Sequence, residues 1–242
     1  MKVIILAAGV SRRIAPHIGN KNKTLLEIGG QTVLGRMVRA YSHYGFDDFL
    51  IVTGHDSRAV MAEMDNLSRE IRITYREIFN PKDEEMNNCY SLLLAIGGIE
   101  EDILVSNKDI VFDPLLLEGV RKFKDENFLV IDNIQKLDEE DMKVYVENGR
   151  ITDINKGLEV TKSYGEYMGI SVVREKSLPS LRKSLEKIVE ESPNLYYEDG
   201  YRLMLDRDPF YVLDTDGFRW SEIDTPEDVA IAEEVIRSGS RF

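Results

Sequence analysis

The sequence predicts an α/β fold with a doubly wound, mainly parallel mixed sheet, helices on both faces and a small β-hairpin region in its carboxyl-terminal half. Short apolar and β-branched runs alternate with amphipathic helical segments, which is typical of a sheet covered by helices. Asn148-Gly149, between two runs of alternating hydrophobicity, predicts the hairpin. At 242 residues the chain can bury one sizeable core, and we expect a single domain.

Each element of the first half rests on a local pattern. Short apolar runs bounded by turn residues predict strands at 2–6, 49–53, 71–75, 103–105 and 128–131. Helical periodicity predicts helices at 33–44, 58–67, 90–96 and 114–124. Gly45 and Gly97 follow two of these helices, as expected at helix C-termini. Right-handed crossovers then place the carboxyl ends of the parallel strands at one edge, where ligands bind in such sheets.

The pattern changes at residue 143. The two hairpin strands are predicted at 143–147 and 150–154, and a further strand at 169–173. Helices are predicted at 177–191, 198–205 and 226–237. Thr225 is a suitable N-cap for the last helix, Pro226 suits its first position, and Asp228 completes a capping-box-like arrangement.

Composition and charge exclude several classes of protein. The net charge of −13 argues against a nucleic-acid partner, for which a basic patch is expected. Cys89 is the one cysteine, which excludes an internal disulfide and a cysteine-based zinc site. No signal peptide and no apolar stretch of membrane-spanning length is present, so we expect a cytoplasmic protein without membrane insertion.

The turn after the first predicted strand favours a nucleotide ligand. Small residues let a polyphosphate or nucleobase approach the backbone, whose N–H groups can bind its oxygens. Arg13 follows, and a guanidinium can bind phosphate through two parallel hydrogen bonds, so we expect it to steady the phosphates. The residues expected to line the nucleotide site here are Leu6, Ala7, Ala8 and Gly9. Gly-x-Gly-x-x-Gly does not follow this strand, which disfavours a dehydrogenase.

Residues 23–30, Lys-Thr-Leu-Leu-Glu-Ile-Gly-Gly, follow that turn after a polar loop. The two stretches together resemble the signature of the nucleotidyltransferases that make activated sugars and alcohols: LAAG, a basic residue, PKxL and a Gly pair. Asn22 and Thr24 stand where the signature often has proline, whereas Lys23 is in register. The resemblance implies that Lys23 contacts the phosphates during transfer.

Nucleotidyl transfer crowds negative charge, which Mg²⁺ neutralises through carboxylate and water ligands. In the family that this chain resembles, a metal-binding Asp follows the strand predicted at 103–105. Asp109 matches it, while Asn107 and Lys108 depart from the usual Asp-x-Asp or Gly-Asp. The string 222–226, Glu-Ile-Asp-Thr-Pro, resembles the family's closing motif, whose first Asp completes the metal site. The resemblance thus implies Mg²⁺ as cofactor, with Asp109 and Asp224 as ligands.

The middle of the chain resembles the phosphocholine cytidylyltransferase-like branch. Its Asn-Asn-x-x-Ser segment lies by the nucleotide, which here implies nucleotide contacts for Asn88 and Ser91, although such Asn side chains also serve as helix caps. Segments 141–144, 155–157 and 164–170 resemble the same branch. From them we expect Lys156 to neutralise the acceptor's phosphate and Glu166 to line the acceptor site.

A cationic acceptor would need aromatic faces and a nearby carboxylate, because these recognise a quaternary ammonium. The residues available for such a pocket are Tyr196, Tyr197, Trp220 and Glu222. They converge only if the carboxyl-terminal segments fold back over the catalytic edge of the sheet, as the resemblance implies.

The sequence therefore predicts an Mg²⁺-dependent nucleotidyltransferase. Our first hypothesis is that it transfers CMP from CTP to a small phosphorylated alcohol, phosphocholine or phosphonate. The acceptor's phosphate oxygen attacks the α-phosphorus and expels pyrophosphate, and no strong general base is needed because a phosphomonoester is largely dianionic at neutral pH. Two other hypotheses stay open: a UTP- or GTP-dependent sugar-1-phosphate nucleotidyltransferase, and a non-catalytic nucleotide-sensing protein, which Asn107 favours.

The expected organisation is one domain over 1–242, with a nucleotide-binding half, 1–125, and an acceptor-binding half, 126–242. The expected partners are CTP or another nucleoside triphosphate and a small phosphorylated acceptor. The sequence leaves a homodimer open.

Overall fold

The structure, a computed structural model, describes residues 1–9, 14, 19, 22–123 and 125–239 of the chain. Its strands are β1 Lys2–Leu6, β2 Glu27–Ile28, β3 Gln31–Thr32, β4 Asp48–Thr53, β5 Thr74–Phe79, β6 Ile103–Asn107, β7 Ile110–Phe112, β8 Asn127–Asp132, β9 Lys143–Glu147, β10 Arg150–Asn155, β11 Gly165–Val173, β12 Phe210–Asp214 and β13 Trp220–Glu222. Its α-helices are α1 Val33–His43, α2 Ser57–Glu70, α3 Asn88–Ala95, α4 Leu116–Lys122, α5 Leu178–Glu191, α6 Tyr197–Met204 and α7 Pro226–Ser238.

Nine of the described strands form one mixed sheet in the order β5-β4-β1-β6-β11-β8-β12-β10-β9. Pairing is parallel from β5 through β4 and β1 to β6, and again between β12 and β8. β11 is antiparallel to both β6 and β8, so the sheet is mixed, as predicted. β4 and β6 lie on opposite sides of β1, and this reversal opens a crevice at the carboxyl ends of β1 and β6.

Strand β1 shows how one sheet supports two cores. Val3 and Ile5 pack in one hydrophobic cluster with residues of α1, α2 and α4. Ile4 and Leu6 pack in the other, with residues of α3, α5 and α6. Successive side chains of a strand point to opposite faces, so both faces of β1 are buried, which explains its uninterrupted apolar sequence.

The predicted hairpin is confirmed. β9 and β10 pair antiparallel, and the two residues between them, Asn148 and Gly149, have φ values of 53° and 76°. Positive φ at both positions is the conformation that an Asn-Gly hairpin turn provides.

The strand predicted at 71–75 is displaced. β5 begins at Thr74 and pairs with β4 from Asp48↔Thr74 to Thr53↔Phe79. The backbone N–H of Ile71 still donates to the Leu67 carbonyl at the end of α2. The chain therefore completes its helix before it can pair in the sheet.

Five short strands, β2, β3, β7, β12 and β13, were not predicted. β13 pairs antiparallel with β7, with Trp220 opposite Phe112 and Glu222 opposite Ile110. This two-stranded sheet places the segment after residue 220 beside the segment after β6. Among the described residues, the helices lack the combination of length and apolarity that crossing a membrane requires.

Candidate active site

A cavity of about 810 Å³ opens at the carboxyl ends of β1 and β6 and is lined by both halves of the chain. The predicted site residues that line it are Leu6, Ala8, Gly9, Lys23, Asn88, Ser91, Asp109, Lys156, Glu166, Tyr196, Trp220, Glu222 and Asp224. Ala7 and Tyr197 do not line it. Arg13 lies outside the described residues.

Lys23 lies at the centre of this site. Its Nζ is 2.6 Å from Asp109 Oδ2 and 2.6 Å from Asp224 Oδ1, and it donates to the Ile223 carbonyl oxygen at 2.8 Å. Only 6% of Lys23 is exposed. Burial alone would lower the pKa of its ammonium, but the charges of the two carboxylates outweigh burial and raise it. Lys23 is therefore a fixed positive charge.

Backbone contacts bring Asp109 and Asp224 together across 115 positions of sequence. The Ile223 N–H donates to the Asp109 carbonyl at 2.9 Å, which extends the pairing of β7 with β13. Asp228 Oδ2 accepts from the backbone N–H groups of Asp224 at 2.9 Å and Thr225 at 2.7 Å, so the start of α7 fixes the turn. The capping arrangement predicted from Thr225 and Asp228 is thereby confirmed.

Asn22, which sequence reasoning treated only as a departure from the family pattern, holds Lys23 in place. Its Nδ2 donates to the Ala7 carbonyl at 2.9 Å, and its Oδ1 accepts from the backbone N–H and hydroxyl of Thr24 at 3.1 and 2.8 Å. Asn22 and Thr24 are both buried. The signal was available in the sequence, because Asn is a strong cap for a short helical turn such as Lys23–Leu25.

Asp109, Glu222 and Asp224 form an acidic cluster in which one carboxylate oxygen from each residue lies within 4.8 Å of the others. Glu222 is open to the cavity, yet protein atoms surround much of it. This desolvation, followed by the charges of Asp109 and Asp224, raises the pKa of Glu222 to about 8. An all-oxygen donor set suits a hard divalent cation such as Mg²⁺, and the Lys23 ammonium between the two aspartates shows that the cluster accommodates positive charge. The residues therefore fit a metal of this kind.

Asn107 does not weaken that cluster, because its side chain is hydrogen-bonded elsewhere and is not part of the cluster. Its Oδ1 accepts from the Tyr197 hydroxyl at 3.0 Å. Its Nδ2 lies 2.6 Å from where a Cβ on Gly169 would be, so glycine is required there, and φ at Gly169 is also +89°. Asn107 joins β6 to β11 and α6, and Glu222 is the third carboxylate of the cluster.

Lys108, which follows β6, also lines the cavity. Its Nζ donates to the carbonyl oxygen of Gly9 in the turn after β1. Burial lowers the pKa of Lys108 to about 8, although the Asp109 charge acts in the opposite direction. Sequence reasoning noted Lys108 only as a departure from the family pattern.

Two residues expected beside the nucleotide, Ser91 and Asn88, also have hydrogen-bond partners within the protein. Ser91 Oγ accepts from Asn80 Nδ2 at 2.9 Å, and Asn88 Oδ1 accepts from the Tyr197 backbone N–H at 3.0 Å. Both side chains still line the cavity, and their nucleotide contacts stay a prediction. Ala7 differs: its side chain is packed in a hydrophobic core, because alternation along the chain turns it away from the cleft.

The prediction for Tyr197 is wrong. Its ring is fully buried, 5.3 Å from the ring centroid of Tyr201, and its hydroxyl contacts that of Tyr167 at 3.1 Å. Tyr197 and Tyr201 are four residues apart on α6 and share its inward face, so the ring cannot offer its face to an acceptor. Trp220 is also largely buried, and its Nε1 donates to Asp132 Oδ2 at 2.7 Å. It nevertheless borders the cavity.

Carboxyl groups also line the part of the cavity around Lys156, which we call the Lys156 end. The carboxyl groups at this end are those of Asp138, Glu140, Asp141, Glu166 and Glu198. Most of them were not predicted, although the acidic run at 138–141 is visible in the sequence. Lys143, fully buried, holds the 138–141 segment by donating to the carbonyl oxygens of residues 138, 139 and 141 at 3.0, 2.9 and 3.1 Å.

Burial raises the pKa values of three carboxyl groups at this end, those of Asp141, Glu166 and Glu198. Burial, followed by the charges of Asp141, Asp132 and Asp138, raises the pKa of Glu166 to about 8. Burial likewise raises the pKa of Glu198 to about 8. Lys156 Nζ lies 5.6 Å from the ring centroid of Tyr196, which is partly exposed in the same region.

Comparisons with known proteins agree with this geometry. The family model of the MobA-like NTP transferase domain matches residues 3–131. The chain is 28% identical over 236 residues to a bifunctional IPC transferase and DIPP synthase of Aquifex aeolicus, covering 96% of this chain but about half, 51%, of that protein. It is 22% identical over 240 residues to the choline-phosphate cytidylyltransferase of Streptococcus pneumoniae, covering 98% of this chain and 99% of that one.

A solved structure shares the fold. The inositol-1-phosphate CTP transferase from T. maritima superimposes with a TM-score of 0.81 at 20% identity, over 99% of this chain and 98% of that one.

Proposed function

Since the chain belongs to the MobA-like NTP transferase family and is a nucleotidyltransferase, we propose that it transfers CMP from CTP to a small phosphorylated acceptor bearing an ammonium group. The observation that carries the choice of acceptor is the acidic Lys156 end of the cavity, next to the exposed ring of Tyr196. Carboxylates and an aromatic face attract an organic cation. The names of the pneumococcal and T. maritima relatives support CTP as the donor.

The proposed reaction joins an acceptor phosphate or phosphonate oxygen to the α-phosphorus of CTP and breaks the bond to pyrophosphate. The acceptor phosphate is largely ionised at neutral pH, so positioning and charge neutralisation provide the catalysis. Asp109, Glu222 and Asp224 would hold Mg²⁺, which supplies positive charge against the phosphates. Lys23 would neutralise the triphosphate, and the turn at Ala8 and Gly9 would leave room for it.

At the acceptor end, Lys156 would meet the phosphate of the acceptor. Glu166, Glu198 and the 138–141 segment would surround its ammonium. The positive charge of the bound acceptor would favour the ionised forms of Glu166 and Glu198, whose pKa values burial raises to about 8 in the free protein. Tyr196 would supply the aromatic face, because Tyr197, which the sequence also offered for this pocket, is inside the core.

The test is pyrophosphate release with Mg²⁺, using CTP, UTP and GTP against matched acceptors. Phosphocholine, phosphoethanolamine and aminoethylphosphonate carry an ammonium, whereas glycerol phosphate, inositol phosphate and glucose 1-phosphate do not. We expect the highest kcat/KM with CTP and an ammonium-bearing acceptor. Equal kcat/KM for acceptors with and without an ammonium would contradict the proposed site for a cationic acceptor. CTP binding without turnover of any acceptor would indicate a nucleotide sensor.

A pair of variants sharpens this test. Glu166→Gln should raise the KM for an ammonium-bearing acceptor at least several-fold while changing the KM for CTP much less. Glu190→Gln, an exposed position on α5, makes the same chemical change away from the cavity and should leave both KM values unchanged.

A further inference from the structure

Lys108 is a buried lysine at the wall of the cavity. Only 6% of it is exposed, and its Nζ donates to the carbonyl oxygen of Gly9. A Cβ placed on Gly9 would lie 3.5 Å from that Nζ. Because Gly9 is itself exposed and lines the cavity, the ammonium of Lys108 lies directly behind the turn that follows β1.

The charge of Lys108 is poorly balanced within the described part of the chain. Lys23 has two carboxylates at 2.6 Å, whereas no described carboxylate forms an ion pair with Lys108. An ammonium has three N–H donors, and the Gly9 carbonyl accepts from one of them. Three carboxylates act on this ammonium only from beyond ion-pair distance, those of Asp109, Asp56 and Asp83. A buried ammonium with unfilled N–H donors is unfavourable, so this site favours an anionic ligand that supplies the missing acceptors.

We propose that Lys108 binds a phosphate oxygen of the nucleoside triphosphate, as a second phosphate-binding residue beside Lys23. The proposal rests on the proposed function, because it takes a nucleotide as the ligand of the cavity. Of the three lysines among the described lining residues, Lys156 is at the acceptor end, near Tyr196. Lys108 is instead joined to the turn at Gly9 and adjoins Asp109, which places it where the triphosphate would approach the acidic cluster.

A purely structural role makes a different prediction. If Lys108 only holds the Gly9 carbonyl, its removal should distort the turn and weaken every ligand of the nucleotide site alike. If it binds phosphate, the loss should depend on the phosphates of the ligand and spare the nucleoside.

The experiment measures binding of CTP, CMP and cytidine by isothermal titration calorimetry, with UTP and uridine as a parallel pair. Lys108→Gln removes the charge but keeps an N–H donor for Gly9, and Lys108→Arg keeps the charge. Lys122→Met, at an exposed position of α4, is the charge-loss control. Thermal unfolding of each variant reports whether it folds.

We expect Lys108→Gln to weaken CTP binding at least tenfold and cytidine binding less than twofold, with Lys108→Arg in between for CTP. Unchanged CTP affinity in Lys108→Gln, or equal losses for CTP and cytidine, would overturn the inference while leaving the nucleotidyltransferase proposal intact. Failure of the parent protein to bind any nucleoside triphosphate would instead overturn the proposed function, and the inference with it. If Lys108→Gln does not fold, Lys108→Arg decides the test. Equal losses of affinity for CTP and for cytidine in that variant would overturn the inference.

Discussion

At the scale of single residues, the site is an arrangement of opposite charges around Lys23. Its ammonium lies 2.6 Å from Asp109 and from Asp224, in the place where three carboxylates converge. The same carboxylates that would hold a metal therefore already bind a cation. The positive charge of Lys23 beside these carboxylates explains how an acidic cluster is stable inside the protein.

Asp109→Asn and Asp224→Asn should each lower turnover by about two orders of magnitude or more, because each removes a negative charge that would hold Mg²⁺. The replacement has nearly the same shape, so circular dichroism should show an intact fold. Asp206→Asn, at an exposed position after α6, is the matched control and should keep the parent rate. Parent-like turnover in either cluster variant would remove that residue from the metal site.

Lys23→Met should slow turnover strongly while increasing the affinity of the free protein for Mn²⁺, because the variant no longer places an ammonium among the carboxylates. Mn²⁺ binding can be followed by electron paramagnetic resonance. Lys23→Arg should not restore the parent rate, since a planar guanidinium cannot replace a compact charge with this contact geometry. An undiminished rate in Lys23→Met would show that Lys23 is not part of the catalytic machinery.

Glu198 should make stability depend on pH. Its Oε2 has no hydrogen-bond partner among the described residues, and burial raises its pKa from 4.5 to about 8. Between those values the native protein retains a proton that the unfolded chain releases, so stability falls as pH rises through this interval. The effect is on the order of 1.4 kcal/mol for each unit of pKa difference.

Urea unfolding of the parent and of Glu198→Gln at pH 5 and pH 8 measures this effect. The variant should gain stability relative to the parent as the pH rises, because its side chain does not ionise. A difference in unfolding free energy that is the same at both pH values would contradict the raised pKa.

At the scale of elements, one long-range strand pairing and one local set of hydrogen bonds build the site. β13 pairs with β7, which carries Glu222 and Asp224 to Asp109. Lys143, at the start of β9, ties the acidic 138–141 segment to the sheet through three carbonyl oxygens. The strand pairing forms the end of the cavity that holds the acidic cluster, and the Lys143 hydrogen bonds form the end at which we propose that the acceptor binds.

Lys143→Met should lower the free energy of unfolding by about 2 to 4 kcal/mol, because it leaves three carbonyl oxygens without their donor. The same change should raise the KM for the acceptor more than that for CTP, since the 138–141 segment lines the acceptor end. Lys162→Met, an exposed residue paired with Glu159, should change stability by less than about 0.5 kcal/mol. Equal stability of the two variants, measured by urea unfolding, would contradict the role given to Lys143.

At the scale of the whole molecule, the two halves of the chain share both cores. One cluster joins Val3 and Leu34 to Ile170 and Trp220, and the other joins Ile4 to residues of α5 and α6. Neither core can therefore be completed by residues 1–125 or 126–242 alone. A single domain over 1–242 stays our prediction, and unfolding measurements test it.

We expect urea to unfold the protein in one transition. Far-UV circular dichroism and the fluorescence of Trp220, the one tryptophan, should give the same midpoint, because both report on a sheet that spans the two halves. A 1–125 fragment expressed alone should not show cooperative unfolding. Two separated transitions in the full chain would mean that the halves are independent domains.

Several features could be predicted from the sequence because their causes are local. The uninterrupted apolar run of β1, the Asn148-Gly149 turn and the Thr225-Asp228 cap each depend on residues within one element or turn. The family resemblance likewise rests on short strings, and it named Lys23, Asp109 and Asp224 before their contact was known. Such patterns predict which elements form and which residues carry charge near their ends.

Only the tertiary structure decided how those elements meet. Glu222 was expected at the acceptor and lies in the acidic cluster, Tyr197 was expected in the cavity and lies in the core, and Asn22 positions Lys23. These outcomes depend on the pairing of β13 with β7 and on the face that α6 turns inward. The sequence by itself determined the chemistry available to the site, whereas long-range packing, which no local pattern encodes, decided which of those groups share one cavity.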